Sequence, residues 1–227
     1  MKTSHPHHIG SELDLEYRLR FEAIAAYRQR VWEVLYRRFF SRYVPESGSV
    51  LDLGCGWGEF INQVRATERF GMDLNPDTAR HLDPGVTFHC QSCAQTWPVA
   101  DACLDLVFTS NFFEHLPDKT ALSVTLKEIA RCLKPGGRLI CLGPNYRFVQ
   151  GAYWDFFDHH IALTDRSLVE AHRLHGLEPE LVYPKFLPYT MAHGWKPPVT
   201  LVRLYLAVPL AWAFFGKQFL VISRKPG

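Results

Sequence analysis

The stretch that most constrains this chain is Ser49-Val50-Leu51-Asp52-Leu53-Gly54-Cys55-Gly56-Trp57-Gly58-Glu59-Phe60. Val50–Leu53 is a short apolar run of the kind a buried parallel strand needs. Three glycines follow at alternate positions, Gly54, Gly56 and Gly58. Glycine adopts positive φ and lets a ligand approach without meeting a Cβ. Glu59, Phe60, Ile61, Val64 and Arg65 then read as an amphipathic helix. Strand, glycine turn and helix N-terminus together form a site for a nucleotide-like ligand.

The next acid at a strand end is Asp73, in Gly71-Met72-Asp73-Leu74-Asn75-Pro76, and 73 − 54 = 19 positions separate it from the first glycine. A carboxylate at that distance, on the tip of the second strand, can accept hydrogen bonds from ribose hydroxyls. A dinucleotide fingerprint needs G-x-G-x-x-G, but position 59 is Glu59. The pattern is instead acid-x-G-x-G-x-G, led by Asp52. It resembles the first motif of the class I S-adenosylmethionine (SAM)-dependent methyltransferases, and Gly71–Pro76 resembles their second. The resemblance runs from about Val50 to Asn145, with a family-like end at Gly216–Arg224.

The 227 residues suffice for one α/β domain with additions. The net charge of +2 gives no strong signal for nucleic acid. Met1–Gly10 is polar and has no apolar core of a signal peptide, so the expectation is a cytoplasmic protein with six reduced cysteines. His5, His7 and His8 read as part of a polar tail. Residues 1–48 are expected to be this tail and a helical lid or extension, and 49–227 the SAM-binding domain. Between Tyr17 and Arg42 the helical part carries seven arginines (18, 20, 28, 30, 37, 38 and 42) against Glu22 and Glu33. Its bland reading is a helix packed on the sheet, and its sharper reading is a lid or an anion-facing surface.

From Ser49, strands near 49–54, 69–74, 86–91, 104–110 and 138–143 alternate with helices near 58–66, 76–82 and 119–133, with Lys134–Gly137 as a turn. The alternation implies a doubly wound parallel sheet. Thr164 is placed to cap a further helix, Gly176 to end it, and Leu177–Tyr183 and Gly216–Ser223 to form the last strands. The resemblance implies a Rossmann-like seven-stranded sheet, mostly parallel, with the last strand antiparallel between the fifth and sixth. Val199–Phe215 is an almost wholly apolar helical insert, interrupted by Arg203 and Pro209 and short for a membrane span. It either packs on the protein itself or lies in a membrane surface.

The resemblance implies that Asp52, Gly54, Cys55, Gly56, Gly58 and Asn111 meet the amino-acid end of SAM, Asp73 its ribose, and Leu74, Ser92 and Cys93 its adenine. Ser92 stands where the family often has an aspartate. Cys90-x-x-Cys93 beside His89 lacks a second ligand pair, so no metal site is expected. The segment Gly151–His160 is dense in aromatic and titratable groups. Removing a proton from a hydroxyl acceptor suits a histidine near neutral pH. The candidates are His159 and His160, supported by Asp158 and flanked by Tyr153 and Trp154, with His115 more readily structural. The expected function is methyl transfer, O-directed, to a small-molecule, glycan or lipid-linked acceptor. The alternative is a SAM-binding regulator or partner protein without transferase activity. The N/D-P-P-[FYW] tetrapeptide of nucleic-acid methyltransferases is absent. Peripheral contact at the inner membrane face and the oligomeric state stay open.

Overall fold

A computed structural model describes residues 15, 17–20, 22–189 and 196–227. The three histidines near the N-terminus lie outside the described residues. Strand β1 (Ser49–Leu53) is buried at every position. It lies between β2 (Glu68–Asp73) and β4 (Leu104–Ser110), parallel to both. β3 (Val86–Cys90) extends the sheet beyond β2, and β5 (Leu133–Pro144) beyond β4. β7 (Gln218–Arg224) runs antiparallel between β5 and β6 (Glu178–Tyr183). The order is β3-β2-β1-β4-β5-β7-β6, the expected seven strands with one reversed.

Alternation along the central strands builds a core on each face of the sheet. Leu51, Leu53 and Val107 meet α2 (Lys119–Cys132) and α3 (Asp165–Leu174) on one face. Val50, Leu106 and Phe108 meet α1 (Ala25–Arg38), α4 (Val199–Ala207) and α5 (Pro209–Phe215) on the other. α1 thus belongs to the same core as β1. The Asp118 side chain caps α2 by accepting from the Ala121 amide at 2.8 Å. Thr164 and Ser167 form a reciprocal capping box on α3, and Gly176 follows that helix with φ +75°.

Three expected elements differ. No helix follows the glycine turn: only Ile61–Gln63 forms a 3-10 turn. β2 begins at Glu68, so too little chain remains for a three-turn helix. Trp32 and Tyr36 of α1 fill the space instead, both edge-on to Phe60. Asn62 pins the turn, donating to the His81 carbonyl and accepting from the Asp83 amide, each at 2.9 Å. Next, Lys134–Gly137 lies within β5 as a bulge, since the pairing with β4 jumps from Leu104↔Leu133 to Leu106↔Arg138. Last, the apolar insert is two helices. Val208 leaves the helical region (φ −121°, ψ 84°), and Pro209 starts the second helix, where its missing N–H costs nothing.

Candidate active site

A cavity of about 480 Å³ opens at the carboxyl ends of β1, β2 and β4, where the strand order reverses. Ligands of open α/β sheets bind there. One end is built by the glycine turn. The Gly54 and Cys55 amides donate to the Met72 carbonyl at 2.8 and 3.1 Å. The Gly56 amide donates to Asp73 Oδ2 and the Asn75 amide to Asp73 Oδ1, each at 2.9 Å. Gly54 and Gly56 have φ +69° and +51°. A Cβ on Gly54 would lie 2.3 Å from the Phe112 ring, and one on Gly56 would lie 3.0 Å from Tyr17.

This arrangement selects the charge of the ligand. The first three turn amides are already bonded, so the row of free N–H groups that holds a phosphate is not on offer. Asp52 and Asp73 are buried on the same rim. Burial, followed by the charge of Glu59, pushes Asp52 well above the usual carboxylate range. Burial also raises Asp73, opposed by the backbone amides it accepts from. Glu59 is paired with Arg28 at 2.8 Å. Such a rim favours an ammonium or sulfonium group over a pyrophosphate. Trp32, His159 and Gln218 also line the cavity, and among the described residues Trp32 Nε1, His159 Nδ1 and Gln218 Oε1 are buried without a hydrogen-bond partner. Buried polar atoms left this way fit a cavity that receives a polar ligand.

The other end is assembled from distant segments. Asp158 accepts from Arg20 through two bonds of 2.9 and 2.6 Å and lies 2.9 Å from His115 Nδ1. Burial would raise Asp158, but the bonds from His115 and Arg20 outweigh it and hold the carboxyl far below its usual range. Burial would lower His115, but Asp158 and then Glu114 outweigh it and raise the imidazole. Burial raises Glu114. His159 is pushed down to about 4 by burial and by the charge of His115. It stacks on Phe156 at 4.9 Å and lies edge-on to His115 at 5.0 Å.

The cavity brings together Asp52, Gly54, Cys55, Gly56, Asp73, Leu74, Ser92, Cys93, Asn111, His115, Asp158, His159 and His160. Gly58 is not among its lining residues. It serves the turn, with φ +74° and Leu82 2.6 Å from where its Cβ would stand. Tyr153 and Trp154 do not shape the cavity as expected. Tyr153 is wholly buried, its hydroxyl bonded to the Ile161 carbonyl, and Trp154 is half exposed. Phe156 and Tyr189 line the wall instead. Ser92 accepts from the Ala94 amide at 3.2 Å, which leaves its hydroxyl hydrogen to donate.

Sequence reasoning missed Tyr17, Glu114 and Gln218. Glu114 adjoins His115, so adjacency could have found it, whereas Gln218 enters only through the position of β7. Glu114, His115 and His159 each bring one possible ligand atom to within 4.8 Å of one another, a grouping the expectation of no metal site did not anticipate. Asp158 lies beside the cluster, bonded to both Arg20 and His115.

Comparison with known proteins agrees with the site. Residues 51–141 match a family model described as a methyltransferase domain. The chain is 30% identical over 131 residues to a ubiquinone/menaquinone biosynthesis C-methyltransferase of Rubrivivax gelatinosus, covering 55% of this chain and 48% of that protein. It is 33% identical over 113 residues to a dimethylglycine N-methyltransferase of Parasynechococcus marenigrum, covering 44% and 39%. The chain therefore spans about half or less of these relatives. A solved SAM-dependent methyltransferase from Archaeoglobus fulgidus shares the fold, with a TM-score of 0.62, 18% identity and coverage of 87% and 94%. Glycine turn, strand order and family match agree: residues 51–141 match a methyltransferase domain, set in the fold of a solved SAM-dependent methyltransferase.

Proposed function

We propose that this protein transfers a methyl group from SAM to an oxygen of a small-molecule, glycan or lipid-linked acceptor, in the cytoplasm or at the inner face of a membrane. The observation that carries the reading is a single cavity with an acidic glycine rim at one end and the His115–Asp158 pair at the other. When bound, SAM supplies a methyl group on a positively charged sulfur. Asp73 accepts from the ribose hydroxyls, and its own bonds to Gly56 and Asn75 fix its orientation. Asp52, the Gly54–Gly56 turn and Asn111 would hold the amino and carboxylate groups of the amino-acid end. Leu74, Ser92 and Cys93 border the adenine.

At the far end, Asp158 holds Nδ1–H of His115, so Nε2 is the nitrogen left to take a proton from an acceptor hydroxyl. His159, kept neutral by burial, presents Nδ1 as a hydrogen-bond acceptor that orients the same hydroxyl. His160 is exposed on the cavity edge, which suits contact with the outer part of an acceptor. A regulator without transferase activity has no use for this second end, so transfer is the stronger reading.

Calorimetry with SAM and S-adenosylhomocysteine tests the assignment. Asp73→Ala should weaken both by on the order of 1–3 kcal/mol. Unchanged affinity would remove the cofactor assignment. Labelled SAM incubated with cell fractions should label a lipid, glycan or small-molecule fraction. Label confined to protein or nucleic acid would overturn the acceptor class.

A further inference from the structure

We infer that α4 and α5 form a surface that docks on a membrane bearing anionic phospholipids. The helices are fixed by their inner sides. Leu206 and Trp212 are buried, and the Trp212 ring stands edge-on to Phe186 at 4.9 Å. Trp212 Nε1 donates to the Tyr205 carbonyl at 2.9 Å, and the Tyr205 hydroxyl donates to the Phe186 carbonyl at 2.7 Å. With those anchors in place, Leu201, Leu204, Val208, Leu210, Phe214 and Phe215 face outward, 40 to 73% exposed. Six large apolar side chains exposed along two consecutive helices point to an interaction site.

Charge identifies the occupant. From Leu181 to Gly227 the chain has no Asp or Glu but six cations: Lys185, Lys196, Arg203, Lys217, Arg224 and Lys225. Lys196, Arg203 and Lys217 are exposed on or beside the two helices. α1 packs against α4, the Tyr27 hydroxyl donating to the Pro197 carbonyl at 2.9 Å; it adds exposed Arg30 and Arg38, and the 3-10 turn Phe40–Tyr43 after it adds Arg42. Exposed apolar side chains, with exposed cations on and beside the same helices, match an acyl region under anionic headgroups. A second copy on the same face would set these cations against themselves, with no acid in the C-terminal stretch to pair them. Among the described residues no helix is long and apolar enough to cross a membrane, so the helices lie in its plane.

The surface adjoins the cavity. Phe186 lies beneath the helices, while Tyr189, three residues on, lines the cavity. The Leu187 carbonyl accepts from the Lys217 and Gln218 amides at 2.8 and 2.9 Å, and Gln218 also lines the cavity. Docking would therefore bring the cavity to acceptors carried on lipid. Only that last step rests on the proposed methyl transfer.

The test is cosedimentation of the full chain with vesicles of phosphatidylglycerol and phosphatidylcholine, and with phosphatidylcholine alone. The protein should bind the anionic vesicles and lose about tenfold or more in affinity on pure phosphatidylcholine. Combined Leu210→Ser, Phe214→Ser and Phe215→Ser should abolish binding, and combined Lys196→Glu, Arg203→Glu and Lys217→Glu should weaken it about as much as removing the anionic lipid. Calorimetry with SAM on each variant shows whether the fold and the cofactor site survive. Overturning results are absence of vesicle binding at low salt, binding indifferent to either variant, or self-association abolished by the serine variant. A wild-type protein that binds SAM but no anionic vesicle would break this inference alone. Failure of the wild type to bind SAM would break the functional reading alone.

Discussion

At the glycine end of the cavity, main-chain amides of Gly54, Cys55 and Gly56 are held by Met72 and Asp73, all within one strand–turn–strand segment. At the histidine end, Arg20, His115 and Asp158 meet through side chains, and Arg20 and Asp158 stand 138 positions apart. The first end depends on backbone conformation and one local acid. The second depends on the whole fold being in place. The first should therefore tolerate change poorly and fail in binding, whereas the second should fail in turnover with binding preserved.

The largest expected separation comes from His115→Ala. Turnover should fall by roughly 10²–10⁴-fold while calorimetric SAM affinity stays within about twofold of wild type. Near-normal turnover would move the base elsewhere or show that none is needed, and lost cofactor affinity would show that the two ends are not separable. Asp158→Asn is the next test. His115 is raised above its usual 6.5 by Asp158 and Glu114, so its proton-accepting form is lost as pH falls through a value above 6.5. The acidic limb of turnover should begin there in the wild type and move to lower pH in the variant, with turnover about tenfold down. A limb that does not move would separate Asp158 from proton transfer. The smallest effect is Gly58→Ala, which should cost about 1–2 kcal/mol of stability through its left-handed φ. Melting should fall by a few degrees with SAM affinity unchanged. Weakened SAM affinity would return Gly58 to the cofactor site.

What the sequence allowed to be read follows the same division. Strand alternation, the capping of α3 and the reversed β7 come from local pattern and from resemblance, and all are present. The glycine turn was legible because its chemistry lies within 20 or so residues of chain. The helix expected after Gly58 is absent because the apolar spacing of Phe60, Ile61 and Val64 serves packing under α1 rather than helical periodicity. Tyr153 was misread for a related reason: an aromatic residue near the site turned out to be core. Glu114 had the signal of its neighbour His115, whereas Gln218 carried none of its own, since its place in the cavity depends on where β7 begins.

The loop from Tyr146 to Leu163 is fastened by its main chain. The Glu114 carbonyl accepts from the His160 and Ile161 amides at 2.8 and 3.2 Å, and the Leu163 carbonyl accepts from the Tyr146 amide at 2.9 Å. Such stitches do not depend on which side chains the loop carries. Ala152, Asp155 and Phe156, which face the cavity from this loop, can therefore be exchanged in the course of evolution without loosening it. Acceptor preference can drift quickly on a fixed mount while the glycine end stays under tight constraint. Two descendants of one such gene could then remain alike across residues 51–141 and yet modify unrelated compounds. On the proposed methyl transfer, then, likeness over residues 51–141 would speak for the bound cofactor, and the loop for the acceptor.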